Sequence, residues 1–575
     1  MYHSKAGFRL LIRRLKNIAR PFWVSTDRWK AYGLLSLVLL LLCGATSLNV
    51  YNAFVMGKLM TALQAMHASA FYRLIGLYAA VIIGGIPVMV YYGYLRTLLA
   101  IRWRGWLTAH ITDRYLRRLA YYRLASDSEI DNPDERITQD VDTFVNTTVG
   151  LSIALCDALT TIVSFAGVLW SISVPLTLGV IVYSLIGTLI TIWIGKQLVP
   201  LNFQQTKTEA DMRYSVADVR RDFESIAFYR GEKRVKMAIL KNLSATIRNL
   251  GTINIVNRNL SFFTTGYNGL VVLLPLAAAA PLYFSHHMEF GDLTRASIAF
   301  ANICAGMSLL IGQFNGISGY AANIARLGSF IEALDKHSEL PLSGRSIEVL
   351  EGSELAATNV TVLTPESTRT LVENLNFQVA PGQSLLIMGA SGSGKSSVLR
   401  ALAGIWINGS GRITRPNKSE IMFLPQRPHV PTGSLRAALC YPRTRAGVTD
   451  GYLLNLLKQV NLCNLPVRCQ GLDCEHNWRD VLSQGEQQRL SLARVLLHAP
   501  KYAVLDEATS ALDEENEKRL YDLLRASGIT LVSVGHRKAL LNYHDRVLTL
   551  KGDGSWTLEG TNAISRDGKD ETARV

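Results

Sequence analysis

The sequence is poor in cysteine and in charged residues. Charged residues make up only 18% of the 575 residues, whereas hydrophobic residues make up 49%, a balance that indicates membrane segments rather than a soluble enzyme. The cysteines are 7 in number, an odd count, and they are scattered along the chain. They are Cys43, Cys156, Cys304, Cys440, Cys463, Cys469 and Cys474. This distribution excludes a small secreted fold held together by disulfides.

Three of these cysteines stand close to a histidine, which raises the question of a metal site. The spacing of Cys463, Cys469, Cys474 and His476 fits no common zinc pattern. A metal site is therefore the less favoured interpretation of this cluster.

Acidic residues are also scarce, since 45 Asp and Glu stand against 60 Lys and Arg, for a net charge of +15. Such an excess is typical of partners that are nucleic acid or anionic lipid. Residues 1–30 are basic and amphipathic, with Asp27 as their one acid, and they predict a helix on the cytoplasmic membrane face followed by a turn at Pro21. A secretory signal is excluded because the following apolar run is too long and lacks a small-residue cleavage site.

Six apolar segments follow, each long enough to cross a hydrocarbon core of about 30 Å. Their approximate bounds are 31–55, 73–99, 146–170, 174–197, 262–284 and 293–320. The connections after the second and fourth segments are long and charged, whereas the others are poor in Lys and Arg. The positive-inside rule places the charged connections in the cytoplasm, which accounts for much of the basic excess without nucleic acid. We expect the second to fifth helices to continue as stalks beyond the membrane.

Two features of this half leave alternatives open. Asp157 lies within the third segment, where an acid faces either an aqueous cavity or a satisfied structural partner. In the loop 128–140, Asn132-Pro133 breaks the helix and Pro133 can start another. That short helix either docks on another domain or is a solvated acidic turn.

The composition changes after the sixth segment. Residues 326–350 are predicted as a polar linker, and residues 351–557 alternate strands with helices, which predicts an α/β domain with a mostly parallel sheet. Residues 558–575 form a polar tail. The predicted fold class is multi-domain, with an all-α domain of six transmembrane helices over 31–325 followed by an α/β phosphate-loop domain.

Residues 389–396, with the sequence GASGSGKS, have the form of a phosphate-binding loop. An apolar strand precedes the loop and a helix follows it, which is the context that such a loop needs. Its backbone N–H groups can cradle phosphates, while Lys395 adds a positive charge and the Ser396 hydroxyl can hold Mg²⁺. This domain is expected to bind a nucleoside triphosphate.

A second apolar strand, residues 502–505, ends in two acids. If this strand lies beside the phosphate loop, Asp506 can hold Mg²⁺ and Glu507 can polarise the attacking water.

Four further motifs resemble those of ATP-binding cassette (ABC) proteins, in the same order and at similar spacing. They are the signature 482–489 (LSQGEQQR), the Q-loop 425–428, the D-loop 510–513 and the switch-histidine region 534–537. Five other stretches resemble subfamily D of the ABC proteins and its bacterial SbmA/BacA-like relatives: 102–108, 132–140, 224–232, 423–428 and 478–483. The resemblance covers nearly the whole chain. It implies an ABC exporter-type fold in which the loop 129–140 and the region 224–232 face the cassettes.

The same resemblance implies two ATP molecules held between two cassettes. The implied ATP contacts are Gly389, Ser391, Gly392, Ser393, Gly394, Lys395, Ser396, Ser397, Gln426, Ser483 and Gly485, and the implied Mg²⁺ ligands are Ser396, Gln426 and Asp506. Glu507 is implied as the general base, His536 as the contact to the γ-phosphate, and Lys395 as a phosphate ligand. Ser483 and Gly485 would reach the γ-phosphate bound by the partner.

Two positions depart from the family pattern. The signature has Gln484 where most cassettes have glycine, although Ser483 and Gly485 remain. The strand that usually carries the adenine-stacking aromatic, 360–365 here, has none, so we expect adenine to pack near Val362 or Pro365.

One cassette and six spans are half of the usual complement, which predicts a homodimer, with a heterodimer as the alternative. The resemblance implies an ATP-driven transporter for acyl-CoA or fatty acid, cobalamin, or peptide-like cargo. The alternative is a membrane-anchored ATPase that gates a channel or regulates a partner, whereas a DNA-handling ATPase has no use for six spans. Because the C-terminus carries no peroxisomal or retention signal, we expect a bacterial inner membrane with the cassette in the cytoplasm.

Overall fold

The computed structural model describes residues 5–125, 130, 132–285, 288–312, 314–338, 346–364, 368–443 and 447–561. These residues form two compact units, a helical unit that ends at Ser338 and an α/β unit that follows it. This division agrees with the predicted fold class.

The described part of the helical unit contains twelve α-helices. They are α1 (Lys5–Val24), α2 (Arg28–Gln64), α3 (Ala68–Leu116), α4 (Ala120–Leu124), α5 (Pro133–Glu135), α6 (Val141–Ile172), α7 (Val174–Gly195), α8 (Leu198–Arg221), α9 (Phe223–Tyr229), α10 (Glu232–Phe284), α11 (Phe290–Gly312) and α12 (Phe314–Ser338). A 3₁₀ turn at Arg117–Leu119 joins α3 to α4, and a π-helical turn at Arg136–Asp140 joins α5 to α6.

Within the described residues, five helical stretches are long and apolar enough to cross a membrane. They are Arg28–Gln64, Ala68–Leu124, Pro133–Ile172, Val174–Arg221 and Glu232–Phe284. The sixth predicted span, 293–320, falls on α11 and the start of α12, and Gln313 lies outside the described residues. Helix α3 continues past the apolar segment 73–99, and α10 begins well before the segment 262–284, so both helices extend beyond their apolar parts.

The first turn of the chain lies later than the sequence predicted. Helix α1 continues through Pro21 to Val24, and the chain turns at residues 25–27. The last turn of α1 is held by packing, since the Phe22 ring is buried and stacks on Trp103 of α3 with centroids 5.4 Å apart. Proline is tolerated because this packing outweighs the one hydrogen bond that it removes.

The segment after Asn132 is packed in part, at Arg136 and Asp140. Asn132 adopts the left-handed conformation, and Pro133 starts α5 as predicted. Arg136 is buried, and its guanidinium donates to the Arg326 carbonyl at 2.8 Å and to Ser329 Oγ at 3.2 Å. Arg136 and Asp140 are therefore fixed to α12, whereas Asn132 and Asp134 are exposed, and residues 128, 129 and 131 of the predicted turn lie outside the described residues.

Two hydrophobic clusters hold the helical unit together. One joins α1, α3, α6 and α12 through residues such as Ile18, Leu107, Phe144 and Phe330. The other joins α2, α6, α7, α10 and α11 through residues such as Ala53, Phe165, Val180, Val271 and Phe300. Asp157 is half-buried on α6. By contrast, the aromatic side chains of α9 are outside both clusters, with Phe228 80% and Tyr229 86% exposed.

The predicted linker 326–350 begins in a helix. Helix α12 continues to Ser338, and the first strand of the next unit begins at Glu348. The side chains of Glu332, Asp335 and Lys336 are exposed on the outer face of this helix, while Leu327, Phe330, Ile331 and Leu334 are buried at helical spacing. The composition of the segment concealed its periodicity.

The described part of the α/β unit contains twelve strands and seven α-helices. The strands are β1 (Glu348–Glu351), β2 (Leu355–Leu363), β3 (Thr370–Val379), β4 (Leu385–Gly389), β5 (Gly409–Arg415), β6 (Ile421–Leu424), β7 (Gly433–Ser434), β8 (Glu475–His476), β9 (Tyr502–Asp506), β10 (Thr530–Val534), β11 (Arg546–Leu550) and β12 (Trp556–Gly560). The helices are α13 (Lys395–Leu402), α14 (Leu435–Cys440), α15 (Asp450–Gln459), α16 (Leu465–Arg468), α17 (Trp478–Val481), α18 (Gln484–His498) and α19 (Glu514–Ala526). Strand β12 continues past residue 557, into the predicted tail.

The main sheet has six strands in the order β12-β11-β4-β10-β9-β6, and all neighbours except β11 and β12 are parallel. Its central strands are apolar and buried on both faces, as parallel strands covered by helices require. A second sheet, β1-β5-β2-β3, is partly antiparallel. Because the carboxyl ends of parallel strands meet at one edge, the segments after β4, β6, β9 and β10 lie along the same edge.

Candidate functional site

The phosphate loop follows β4 and leads directly into α13. Gly392 and Gly394 have φ values of 80° and 96°, in the left-handed region that favours glycine. A Cβ at Gly389 would lie 2.5 Å from the Leu550 carbonyl oxygen, so a side chain does not fit there. Lys395 Nζ donates to the carbonyl oxygens of Gly389 and Ala390, both at 2.8 Å. The loop therefore has the close turn, the helix N-terminus and the cation that an anion site needs.

One hydroxyl in this loop is buried without a partner. Ser393 is 3% exposed, and its Oγ has no hydrogen-bond partner among the described residues. An unpaired buried hydroxyl is costly unless a ligand satisfies it. This donor, beside the N–H groups of the loop, fits a phosphate oxygen.

Asp506, at the end of β9, faces the start of α13. The Ser396 hydroxyl donates to Asp506 Oδ1 at 3.4 Å. Strand β9 is not the direct neighbour of β4, because β10 lies between them, but the end of β9 lies beside the start of α13. The side chains still meet at the shared edge. Burial raises the pKa of Asp506, as does the neighbouring Glu507 charge, and a divalent cation would relieve both effects.

Glu507 connects three segments of this edge. Its carboxylate Oε2 accepts a hydrogen bond of 2.8 Å from Gln426 Nε2, and Oε1 lies 3.9 Å from His536 Nδ1. Its backbone has a φ of 47°, and its N–H donates to the Val534 carbonyl. Positive φ is uncommon for a residue with a side chain and is frequent at functional sites. The structure thus brings together the Q-loop, the predicted base and the switch histidine.

The contacts of Gln488, in the signature helix, are not predictable from the motif alone. Gln488 is only 1% exposed. Its side-chain amide Nε2 donates to the backbone carbonyl of Gln426 at 3.3 Å and to Ser510 Oγ at 3.2 Å. Its Oε1 accepts from the Ala511 N–H at 3.0 Å. One buried amide therefore joins α18 to the Q-loop and to the D-loop. The sequence shows Gln488 only as a polar residue within the signature motif, because its partners lie in segments that are distant along the chain.

Arg537 also fixes the D-loop. Its guanidinium donates to the carbonyl oxygens of Ser510 and Leu512, each at 3.3 Å, and to Glu517 Oε2 at 3.0 Å. Glu517 is buried and also accepts from Thr509 Oγ1 at 2.6 Å. An arginine adjacent to the switch histidine thus holds the D-loop backbone, a role that the motif alone did not reveal.

Ser483 begins the signature helix and caps it. Its Oγ accepts from the Glu486 N–H at 3.3 Å, while the Glu486 carboxylate accepts from the Ser483 N–H at 2.9 Å, which is a capping box. Arg468 pairs with Glu486 at 2.9 Å. Where Gly485 stands, a Cβ would lie 3.1 Å from the Ala511 carbonyl oxygen. Among the described residues, no hydrogen bond joins Ser483 or Gly485 to the phosphate loop of the same chain.

The expected adenine surface is wrong at one of its two positions. Val362 is fully buried on the core face of β2, so it offers no surface to a base. Val360, two residues earlier, is on the same face and is also buried, as the alternation of a strand requires. Pro365 lies outside the described residues.

Comparison with known proteins gives two family matches. The family described as ABC transporter transmembrane region 2 matches residues 20–284, and the family described as ABC transporter matches residues 372–510. The first match lies in the helical unit and the second lies in the α/β unit.

Three relatives match over most of their length. An uncharacterized ABC transporter ATP-binding protein of Synechocystis is 43% identical, over 93% of this chain and 83% of its own. ABC transporter D family member 2, chloroplastic, of Arabidopsis thaliana is 36% identical, over 96% of this chain and 89% of its own length. The lysosomal cobalamin transporter of Homo sapiens is 32% identical, over 80% of this chain and 82% of its own length. These matches support the ABC and subfamily D parts of the resemblance but not its SbmA/BacA-like part.

Proposed function

The chain belongs to the ABC transporter family, and we propose that it works as a homodimer whose two cassettes close on two ATP molecules. As a member of this family it is a multi-pass membrane protein and an ATP-driven transporter. It has one transmembrane region and one cassette, so it is a half-transporter, and dimerisation is general among half-transporters. A bacterial relative, from Synechocystis, is consistent with the expected bacterial inner membrane and cytoplasmic cassette.

One observation supports an ATP site built from two chains: within one chain, no hydrogen bond among the described residues joins the signature serine to the residues that would hold and hydrolyse ATP. Lys395, Asp506, Glu507 and His536 stand at one edge of the main sheet. Ser483, at the start of α18, has no described hydrogen bond to the phosphate loop of its own chain. A second copy related by a two-fold axis would supply its own Ser483 and Gly485 to this edge.

We assign Mg²⁺ to the group formed by Ser396, Asp506 and Gln426. The Ser396 hydroxyl and the Asp506 carboxylate already face each other. Gln426 uses its Nε2 to hold Glu507, which leaves its amide oxygen available as a ligand. Hard oxygen ligands of this kind suit Mg²⁺, which when bound would neutralise charge on the phosphates.

The chain's own residues then divide the work of hydrolysis. Glu507 accepts the proton of the attacking water, and the Gln426 amide fixes the orientation of its carboxylate. His536, beside Glu507, contacts the γ-phosphate. Lys395 exchanges its two loop carbonyls for phosphate oxygens. Closure of the two cassettes can drive alternating access only if ATP binds the closed state more tightly than the open one.

The homodimer can be tested by placing two substitutions in trans or in cis. In a purified dimer with K395A on one chain and S483A on the other, one composite site keeps both an intact Lys395 and an intact Ser483. In a dimer with both substitutions on one chain and none on the other, neither site is intact. Composite sites therefore predict more ATPase activity in trans than in cis. The reverse order would show that each chain completes its own site, and a chain that forms no dimer with itself would favour a heterodimer.

The cargo is tested in liposomes containing the purified protein. The candidates are acyl-CoA or fatty acid, cobalamin, and short peptides, and the name of the human relative supports cobalamin. ATP-dependent movement of one of these, absent in E507Q, would identify the cargo class. ATP hydrolysis that moves none of them, but changes the activity of a channel or partner, would favour the alternative of a regulatory ATPase.

A further inference from the structure

A cavity of about 360 Å³ lies where the turn between α1 and α2 packs against α3. Its lining includes two cations, Lys30 and Arg102, and three aliphatic side chains, Ala31, Leu34 and Leu99. It belongs to the helical unit and shares no residue with the phosphate loop.

The order of these residues along the two helices separates the cations from the apolar lining. Lys30 precedes Leu34 by about one turn of α2, which is about 6 Å along the axis. Arg102 follows Leu99 by almost one turn of α3. The predicted span 31–55 begins after residue 30 and the predicted span 73–99 ends at residue 99, so the cations lie toward the cytoplasm and the aliphatic residues lie deeper.

The cationic end of the cavity carries unbalanced charge. Lys30 Nζ lies 3.3 Å from Asp27 Oδ1, and both side chains are at least half exposed, so this pair is weak. Arg102 is exposed and has no ion pair or hydrogen bond among the described residues. Two cations and one acid leave a net positive charge at the depth of lipid headgroups.

We propose that this cavity binds one anionic glycerophospholipid from the cytoplasmic leaflet. The phosphate and its headgroup lie between Lys30 and Arg102, and the first methylenes of an acyl chain lie on the half-buried Leu34, since Ala31 and Leu99 are buried beneath it and offer almost no surface. The rest of both chains remains in the bilayer. Charge complementarity selects the anionic headgroup, and the aliphatic surface of Leu34 favours a lipid over a free phosphate.

The position of the cavity gives the lipid a structural consequence. Phe22 of α1 stacks on Trp103 of α3 and lies 5.7 Å from the ring of Trp106, which also lines the cavity. Farther along α1, Arg14 pairs with Glu332 of α12 at 2.7 Å. A bound lipid would therefore hold α2 and α3 beside the helix that is fixed to α12.

Native mass spectrometry of the full-length protein with phosphatidylglycerol tests the proposal. We expect K30Q/R102Q to retain at least about tenfold less of this lipid, because each cation near a membrane surface contributes about 1 kcal/mol to binding an anionic lipid. The matched control is R9Q/R13Q, which removes the same charge from exposed positions of α1 that do not line the cavity. K30R/R102K should keep the lipid, which separates a lost charge from a disturbed fold. Equal retention in K30Q/R102Q and the wild type, or equal loss in the R9Q/R13Q control, would overturn the proposal.

Three further probes identify which phosphate-bearing molecule the cavity binds. Phosphatidylcholine should be retained poorly, because its headgroup has no net charge, whereas inorganic phosphate should not compete, because it lacks the chains. Oleoyl-CoA carries both a phosphate and an acyl chain. If oleoyl-CoA is retained through Lys30 and Arg102 while phosphatidylglycerol is not, the cavity is a cargo site and the lipid proposal is wrong. The basal ATPase activity of the variants, expected at the wild-type level, reports on the cassette separately.

Discussion

Gln426 donates a hydrogen bond of 2.8 Å to the carboxylate of Glu507, and this bond links the segment after β6 to the end of β9. The second oxygen of the same carboxylate faces His536, which follows β10. A carboxylate held by an amide keeps its free oxygen in a defined direction, which a general base needs. The contact also couples the position of the Q-loop to the orientation of the base.

The first prediction concerns the loss of this base. In E507Q, the ATPase rate should fall at least about 100-fold, because an amide cannot accept the proton of the attacking water. ATP should still bind, since glutamine keeps the shape of the side chain and its oxygen still accepts from Gln426. Steady-state hydrolysis and nucleotide retention measure the two effects. E515Q, an exposed acid on α19, is the control, and undiminished hydrolysis in E507Q would rule out the assigned role.

The second prediction concerns the buried amide of Gln488. In Q488L, the Ala511 N–H and the Gln426 carbonyl lose their partner, at a cost of about 1–3 kcal/mol for each group left unsatisfied. We expect a lower kcat and an almost unchanged Kd for ATP, because Gln488 contacts the Q-loop and D-loop but not the phosphate loop. Q488E should be intermediate, since its carboxylate still accepts from Ala511 but cannot donate to Gln426. A kcat at the wild-type level in Q488L would show that this bridge has no role in turnover.

The parts of the site that the sequence predicted are those that follow local rules. Gly392 and Gly394 supply a left-handed turn between a buried strand and a helix, and this pattern is visible in eight consecutive residues. Asp506 stands at the end of an apolar strand, so its place at the sheet edge follows from the parallel topology. Both predictions required only the order of strand, loop and helix.

The parts that the sequence did not predict depend on packing between distant segments. Gln488 and Arg537 hold the D-loop from two elements that are about fifty residues apart, and no local pattern distinguishes them from exposed polar residues. Likewise, the insertion of β10 between β4 and β9 follows from the whole sheet. The helical nature of 326–338 was concealed because its polar outer face resembles a linker in composition.

The third prediction is a pH dependence that arises from His544. This imidazole is buried, its Nδ1 donates to the Leu540 carbonyl at 2.8 Å, and its Nε2 lies 2.9 Å from Ser533 Oγ. Burial lowers the pKa of His544 to about 4. The unfolded chain binds the proton near pH 6.5, so stability should fall as the pH drops from 6.5 towards 4, by up to about 1.4 kcal/mol per pH unit.

The substitution H544Q isolates this contribution. The apparent melting temperature of the cassette should be lower in H544Q, because the ring is buried, but its decline between pH 6.5 and 5 should be less steep than in the wild type. The control is H536Q. The His536 side chain is 67% exposed, so its replacement should leave the decline of the melting temperature unchanged. Equal slopes in H544Q and the wild type would contradict the assignment.

The fourth prediction separates the binding role of Asp506 from its cost to the fold. Because burial and the Glu507 charge raise the pKa of Asp506, its ionised form destabilises the folded cassette at neutral pH. This cost declines as the pH falls below the raised pKa and is gone near the pKa of the unfolded chain. Without Mg²⁺, D506N should therefore melt at a higher temperature than the wild type at pH 7. A gain of about 1 kcal/mol would shift the melting temperature by about 2–4 °C.

The same substitution should reverse its effect when MgATP is added. Asparagine can still accept from the Ser396 hydroxyl, but it is a weaker ligand for Mg²⁺ than a carboxylate, so D506N should gain less from MgATP than the wild type does. The melting temperatures of the two proteins, with and without MgATP at pH 7 and pH 5, give the comparison. A lower melting temperature of D506N without Mg²⁺ would contradict the raised pKa, whereas an equal gain from MgATP would contradict the ligand role. If both expectations hold, Asp506 is retained for the metal at the expense of the fold.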